Sequence, residues 1–218
     1  MPKPVKRRPY ASRLRAEQAL VTQRAIIAAA ATLFGAQGYV AVSVDAIAEA
    51  AGVSRATVFN AVGGKAELLR AAFRAAFGAA AGAPDEAMPL VERPRSVEVR
   101  ASPTARGYLE GYAGVCTAIH HHMALIYEAI REAARGDPDV AALWTDVNAE
   151  RHRGAHTIVA DVRKRAPLRA GLAVAEAADL VWMLNDPVHF HMLVLGRGWP
   201  EARFSAWLAR ALETELLG

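Results

Sequence analysis

Residues Thr22–Leu69 read TQRAIIAAAATLFGAQGYVAVSVDAIAEAAGVSRATVFNAVGGKAELL, and the spacing of their apolar residues decides the fold. Ile26, Ile27, Ala30, Leu33 and Phe34 recur at three- and four-residue intervals, predicting a helix from a Thr22 cap to about Gln37 with one buried stripe. Gly38 suits the positive-φ position that closes such a helix. Ser43 can cap a short second helix on which Val44, Ile47, Ala48 and Ala51 share a face. Gly52-Val53 makes a turn, and Ser54 caps a third helix that ends near Ala61 before Gly63-Gly64. A fourth helix opens at Lys65 and carries Leu68, Leu69, Phe73 and Phe77. Two short helices joined by a glycine turn are the layout of a helix-turn-helix.

Outward from this stretch the chain stays helical in character. Alanine dominates, and the alternation expected of strands is nearly absent, which predicts an all-α fold. Residues 1–21 read as a basic arm, with Pro2, Pro4 and Pro9 opposing helix early. Residues 22–66 then form the small helical domain, and 67–218 a larger one. Four prolines within 82–103 predict a linker or loop. Helices are expected over 104–122 and 123–135, their division not placed. Asp137-Pro138 opens a long helix to about Arg165. Another spans Val174–Leu184, Asp186-Pro187 repeats the cap-proline device, and Pro200 begins the last.

Charge divides the chain unevenly. Residues 1–70 hold ten Lys/Arg against four Asp/Glu, whereas 71–218 hold sixteen against eighteen. A basic segment on a near-neutral body points to a local polyanion site; solubility alone is the competing reading. No uninterrupted apolar run reaches the length of a membrane span, no apolar core follows the basic N-terminus, and Cys116 is the one cysteine. The expectation is a cytoplasmic protein without membrane attachment.

The segments AAATLFGAQGY (Ala29–Tyr39) and VSVDAIAEAAGVS (Val42–Ser54), with Thr57, Lys65 and Leu68-Leu69, resemble the DNA-binding domain of the TetR family of transcriptional regulators. That resemblance implies a recognition helix in the major groove, and a larger C-terminal domain that dimerises and holds an effector. It implies a homodimer on double-stranded, palindromic operator DNA, most simply a repressor released by a small apolar or amphipathic molecule, with no cofactor. Arg55, Ala56, Thr57 and Asn60 would face bases or nearby backbone and Ser43 and Lys65 the phosphates, with the Ser54 cap and Phe59 completing the DNA-binding set. Three positions depart from the family pattern. Phe59 replaces the usual tyrosine and so lacks its phosphate-gripping hydroxyl, Ala61 replaces a histidine or tyrosine, and Val62 replaces a phenylalanine. Glu176–Leu217 is similar to the family's paired dimerisation helices, which implies an interface of Leu180, Val181, Leu184, Trp207, Leu208 and Leu212. An ordinary intrachain core is the alternative for these residues.

For the effector, Tyr108, Tyr112, His120, Met123, Tyr127, Trp144, Trp182 and His189 supply apolar and polar wall types in the expected region, though such stripes also build plain core. All seven histidines lie beyond residue 119, and His152 and His156 have chelating spacing without a third ligand nearby in sequence, so no metal is expected. Neither GxSxG nor HExxH occurs, and Gly63-Gly64-Lys65-Ala66 fails the phosphate-loop pattern, so no catalytic residues are expected. Two readings compete with the repressor: an architectural DNA-binding protein lacking an effector, and a ligand-binding protein that has lost its DNA role.

Overall fold

Gly38 bends the first helix: at φ 75° and ψ 169° it leaves helical geometry inside the span Arg8–Ala41, the element α1. The computed structural model describes residues 8–80 and 94–218. After α1 come α2 (Val44–Ala50), α3 (Arg55–Ala61), α4 (Lys65–Ala80), α5 (Pro94–Arg100), α6 (Ala105–Ala133), α7 (Pro138–Arg163), α8 (Val174–Leu184), α9 (Pro187–Phe190) and α10 (Glu201–Leu217). A single π turn, His191–Leu195, follows α9. No strand occurs among the described residues.

These elements form two compact units, one through Ala72 and one from Phe73. In the first, Ile26, Ala30 and Phe34 of α1 are buried with Val42, Ile47, Val58, Leu68 and Leu69. The helix stops here are local. Ser43 Oγ accepts from the Ala46 amide at 3.1 Å and Ser54 Oγ from the Thr57 amide at 3.1 Å, each satisfying an otherwise unpaired donor. Gly52, at φ 67°, lets α2 end in a tight turn, with the Val53 amide returning to the Ala48 carbonyl at 2.9 Å.

The second unit surrounds α6, whose apolar face buries Tyr108, Leu109, Ala113, Cys116 and Ala124, and which packs against α7, α9 and α10. Phe190 and Phe204 meet edge-on, ring centroids 5.3 Å apart, in the same core. Gly111 allows α5 to lie close: a Cβ there would stand 2.8 Å from a Val99 methyl.

Three sequence expectations need correction. Helix α1 starts at Arg8 rather than Thr22, because a proline in the first helical turn forfeits no intrahelical hydrogen bond. Residues 104–135 hold one continuous helix, α6. Part of the expected 82–103 linker is helical as α5, while 81–93 fall outside the described residues. Leu14–Ala41 is apolar enough, at a mean hydropathy of 1.5, to pass as a membrane span by length and composition. Its buried Ile26, Ala30 and Phe34 instead make it the core helix of the first unit.

Candidate nucleic-acid interface and apolar cavity

Helix α3 is anchored by one side chain and exposes the rest. Val58 is fully buried, whereas Arg55, Ala56, Phe59 and Asn60 face outward and Thr57 is half-buried. Ser54 caps the helix and its hydroxyl also lies 2.9 Å from that of Thr57. The Arg55 guanidinium donates to Asp45 of α2 at 2.7 Å and stands 5.5 Å from the centre of the Phe59 ring. Gln23 of α1 donates to the Ala61 carbonyl at 3.0 Å, tying down the far end of α3. Lys65 sits over the Tyr39 ring at 4.3 Å and donates to the Val40 carbonyl at 3.3 Å, so its ammonium is engaged within the protein. Phe59 is 44% exposed, which separates it from the packed core. An outward face presenting an arginine, a threonine and an asparagine beside an aromatic ring can offer hydrogen bonds to base edges and apolar contact to a thymine methyl.

The second unit encloses a cavity of about 340 Å3. Its wall comprises Phe73 and Phe77 from α4, Tyr112, Val115, Cys116, Ile119 and His120 from α6, Val147, Glu150, Arg151, Gly154, Thr157 and Ile158 from α7, and Asn185. Tyr112, Cys116 and His120 are spaced four apart and so form one stripe along α6. The volume falls in the range of small-molecule sites. A smaller space of about 70 Å3 under α5 shares Tyr112, Val115, Thr157 and Ile158 with it.

Arg151 organises one end. Its guanidinium donates to the Tyr127 hydroxyl at 3.1 Å, Asn148 Oδ1 at 2.9 Å, and the carbonyls of Trp182 at 2.9 Å and Asn185 at 3.0 Å. It also pairs with Asp186 at 3.0 Å, and Tyr127 donates to that carboxylate at 3.2 Å. Asn185 Nδ2 donates to the Tyr112 hydroxyl at 2.8 Å. Burial leaves the neighbouring groups uncharged. It pushes the Cys116 thiol up to about 12 and the Tyr112 hydroxyl well above its usual value, and it lowers His120 to about 3. The Arg151 charge adds to the effect on His120. Two wall side chains hold a buried polar atom without a hydrogen-bond partner, His120 Nδ1 and Asn185 Oδ1.

Of the eight effector candidates, Tyr112 and His120 lie on the cavity wall. Tyr108 lines the smaller space, where its hydroxyl donates to buried Asp161 at 3.3 Å. Burial works to raise the Asp161 pKa, but hydrogen bonds from Lys164 and Arg100 hold it below the ordinary value. Tyr127 reaches the cavity through Arg151, with Trp144 packed on its ring at 5.1 Å. Met123 is core, Trp182 lies 5.5 Å from the Arg151 guanidinium, and His189 stacks on Trp207 at 5.8 Å. None of these five appears on the wall. Phe73, Phe77, Cys116, Arg151 and Asn185 were missed; the spacing of the two phenylalanines from Leu69 was the readable signal.

The expected interface divides too. Val181, Leu208 and Leu212 are fully buried in the protomer's own core, so they have no surface to offer a partner. Leu180, Leu184 and Trp207 remain half-buried at its edge, and Met183, Met192 and Leu195 are exposed. His152 and His156 pack edge-on at 4.9 Å, and His152 meets Asp179 at 2.8 Å. No group of three or more His, Cys, Asp or Glu among the described residues is placed to hold a metal ion.

Residues 26–72 match the model of the bacterial regulatory proteins of the tetR family. No curated protein matches the chain. Among solved structures, the chain is similar to a Rhodococcus sp. protein assigned to the TetR-family transcriptional regulators, at TM-score 0.69 and 17% identity over 89% of this chain and 98% of that one. A transcriptional regulator from Saccharomonospora viridis in complex with choline aligns at TM-score 0.67 and 18% identity, covering 90% and 97%. The ketosteroid transcriptional regulator KstR2 of Mycobacterium tuberculosis aligns at 0.59 and 16%, covering 90% and 95%. At these identities the structural likeness speaks for the fold.

Proposed function

Given that this chain is a DNA-binding transcriptional regulator of the TetR family, we propose that it is a homodimeric repressor released from its operator by a small molecule held in the cavity of the second unit. Helix α4 carries the reading. Its first half supplies Lys65, Leu68 and Leu69 to the helix-turn-helix unit, and its Phe73 and Phe77 form part of the cavity wall. A molecule that displaces those rings acts on the helix that continues from the DNA-reading unit. A dimer must set its two recognition helices about 34–36 Å apart to meet successive major grooves. A ligand that prefers a different separation lowers operator affinity, by roughly 5–150-fold for an ordinary coupling energy, and DNA weakens ligand binding by the same factor.

In this reading Arg55, Thr57 and Asn60 are the base-reading side chains, with Ala56 and Phe59 beside them and Ser43, Ser54 and Lys65 near phosphates. The dimer forms on the outer faces of α8 and α10. The test is a gel shift on DNA from upstream of the chain's own gene, against competitor, repeated with ligands found to bind the protein. Sequence-selective binding relieved by a ligand, with the dimer intact, supports the proposal. Equal ligand affinity with and without saturating operator contradicts it, as does ligand-induced dissociation.

A further inference from the structure

The cavity wall combines a saturated cation and a row of uncharged polar groups, and together these define what it can hold. Arg151 is the wall's one basic side chain, and its Nη donors are taken by Tyr127, Asn148 and the carbonyls of Trp182 and Asn185. Asp186 offsets its charge at 3.0 Å. An entering carboxylate would have to break those bonds to find a partner. Left unpaired, it would lose its hydration without compensation.

The remaining surface is mostly apolar, with Phe73, Phe77, Val115, Ile119, Val147 and Ile158. Against it stand the Tyr112 hydroxyl and two side chains with a buried, unpartnered atom: His120 Nδ1 and Asn185 Oδ1. Asn185 Oδ1 can only accept, and a neutral imidazole can serve either role at Nδ1. Neither atom has surface in the cavity, so a ligand group able to donate and accept meets it only when the His120 or Asn185 side chain turns its polar edge inward, and the cost of a buried polar atom left unpaired favours that turn.

We propose that this cavity selects an uncharged, largely apolar molecule carrying a hydroxyl group, held at the His120–Asn185 part of the wall, and rejects the acid of the same chain length. This deepens the effector reading above and rests on it. Glu150 does not turn the site into one for cations, because it lies in solvent where its field is screened.

The experiment is titration calorimetry of the full-length protein with three probes of one chain length: decanol, decanoate and decyltrimethylammonium. Decanol is expected to bind at least tenfold more tightly than either ion. His120→Phe preserves an aromatic ring beside Phe190 and Phe204, and is expected to weaken decanol roughly fivefold while leaving decanoate unchanged. Decanoate binding as well as decanol, tightest binding of the ammonium, or binding of none of the three would overturn the assignment. So would an unaltered decanol affinity in a folded His120→Phe variant. A gel shift with decanol separates the two claims: tight binding without DNA release leaves the ligand class standing and removes the inducer role.

Discussion

Arg55 of the recognition helix is held by Asp45 of the helix before it, Nη1 to Oδ2 at 2.7 Å, with the Phe59 ring on its flank. Both partners are more than half exposed, so the pair contributes little to stability. Its consequence is positional. A guanidinium steadied on one edge keeps its other donors for guanine O6 and N7. Arg55→Ala is expected to cost roughly 1–3 kcal/mol per half-site and to relax selectivity at one base pair. Asp45→Ala should leave thermal stability nearly unchanged and reduce discrimination at that same base pair. Competition gel shifts with single-base operator variants check both, and loss of selectivity at a different position would break the link between the two residues.

Met183 and Met192 are 48% and 59% exposed, and Leu180, Leu184 and Trp207 are half-buried. Large apolar side chains left this exposed mark a candidate interface. The double variant Met183→Glu, Met192→Glu should therefore scatter light as a 23.3 kDa monomer with unchanged helix content. Leu208→Ala, by contrast, hollows the protomer's own core and should lower Tm without altering the mass of the folded protein. A stable dimer of the glutamate variant would place the interface elsewhere.

Removing Arg151 takes the counter-charge from the Asp186 carboxylate and the side-chain donors from the carbonyls of Trp182 and Asn185. Loss of one member of a largely buried pair costs about 3–5 kcal/mol. Arg151→Met should accordingly lower Tm by roughly 2–4 °C for each kcal/mol lost. Asp186→Asn retains the cap on α9 and should cost less. Thermal melts of the two variants decide the order.

His120 sits 3% exposed between the Phe190 and Phe204 rings, and burial depresses it from the ordinary 6.5 to about 3. The unfolded chain then takes up a proton that the folded one refuses. Its contribution to stability is whole above about pH 6.5 and is lost as pH falls towards 3, at up to about 1.4 kcal/mol per pH unit. Denaturant melts from pH 7 to 4.5 should show this slope, and His120→Phe should flatten it. A slope identical in both proteins would mean that His120 is protonated in the fold.

Much of the architecture was legible because its signals are short-ranged. The Ser43 and Ser54 caps, the Gly52 turn, and the Asp137-Pro138 and Asp186-Pro187 openings each act within four residues, so reading along the chain finds them. The buried stripe of Ile26, Ala30 and Phe34 is equally local, one side of a helix with a fixed repeat. Periodicity names the face that is buried without saying what covers it. It could not tell that Val181, Leu208 and Leu212 are covered within the protomer's own core while Leu180, Leu184 and Trp207 stay only partly buried. Nor could it find Arg151, whose partners lie 24 to 34 residues away at Tyr127, Trp182 and Asn185. The cavity is the volume that packed helices from distant parts of the second unit leave unfilled, and which side chains line it is set when those helices meet. Helix positions and the family resemblance thus followed from residues near one another in the chain. The cavity wall, its uncharged lining and the division between core and outer face followed only from tertiary packing, because they depend on contacts between segments that no local pattern connects.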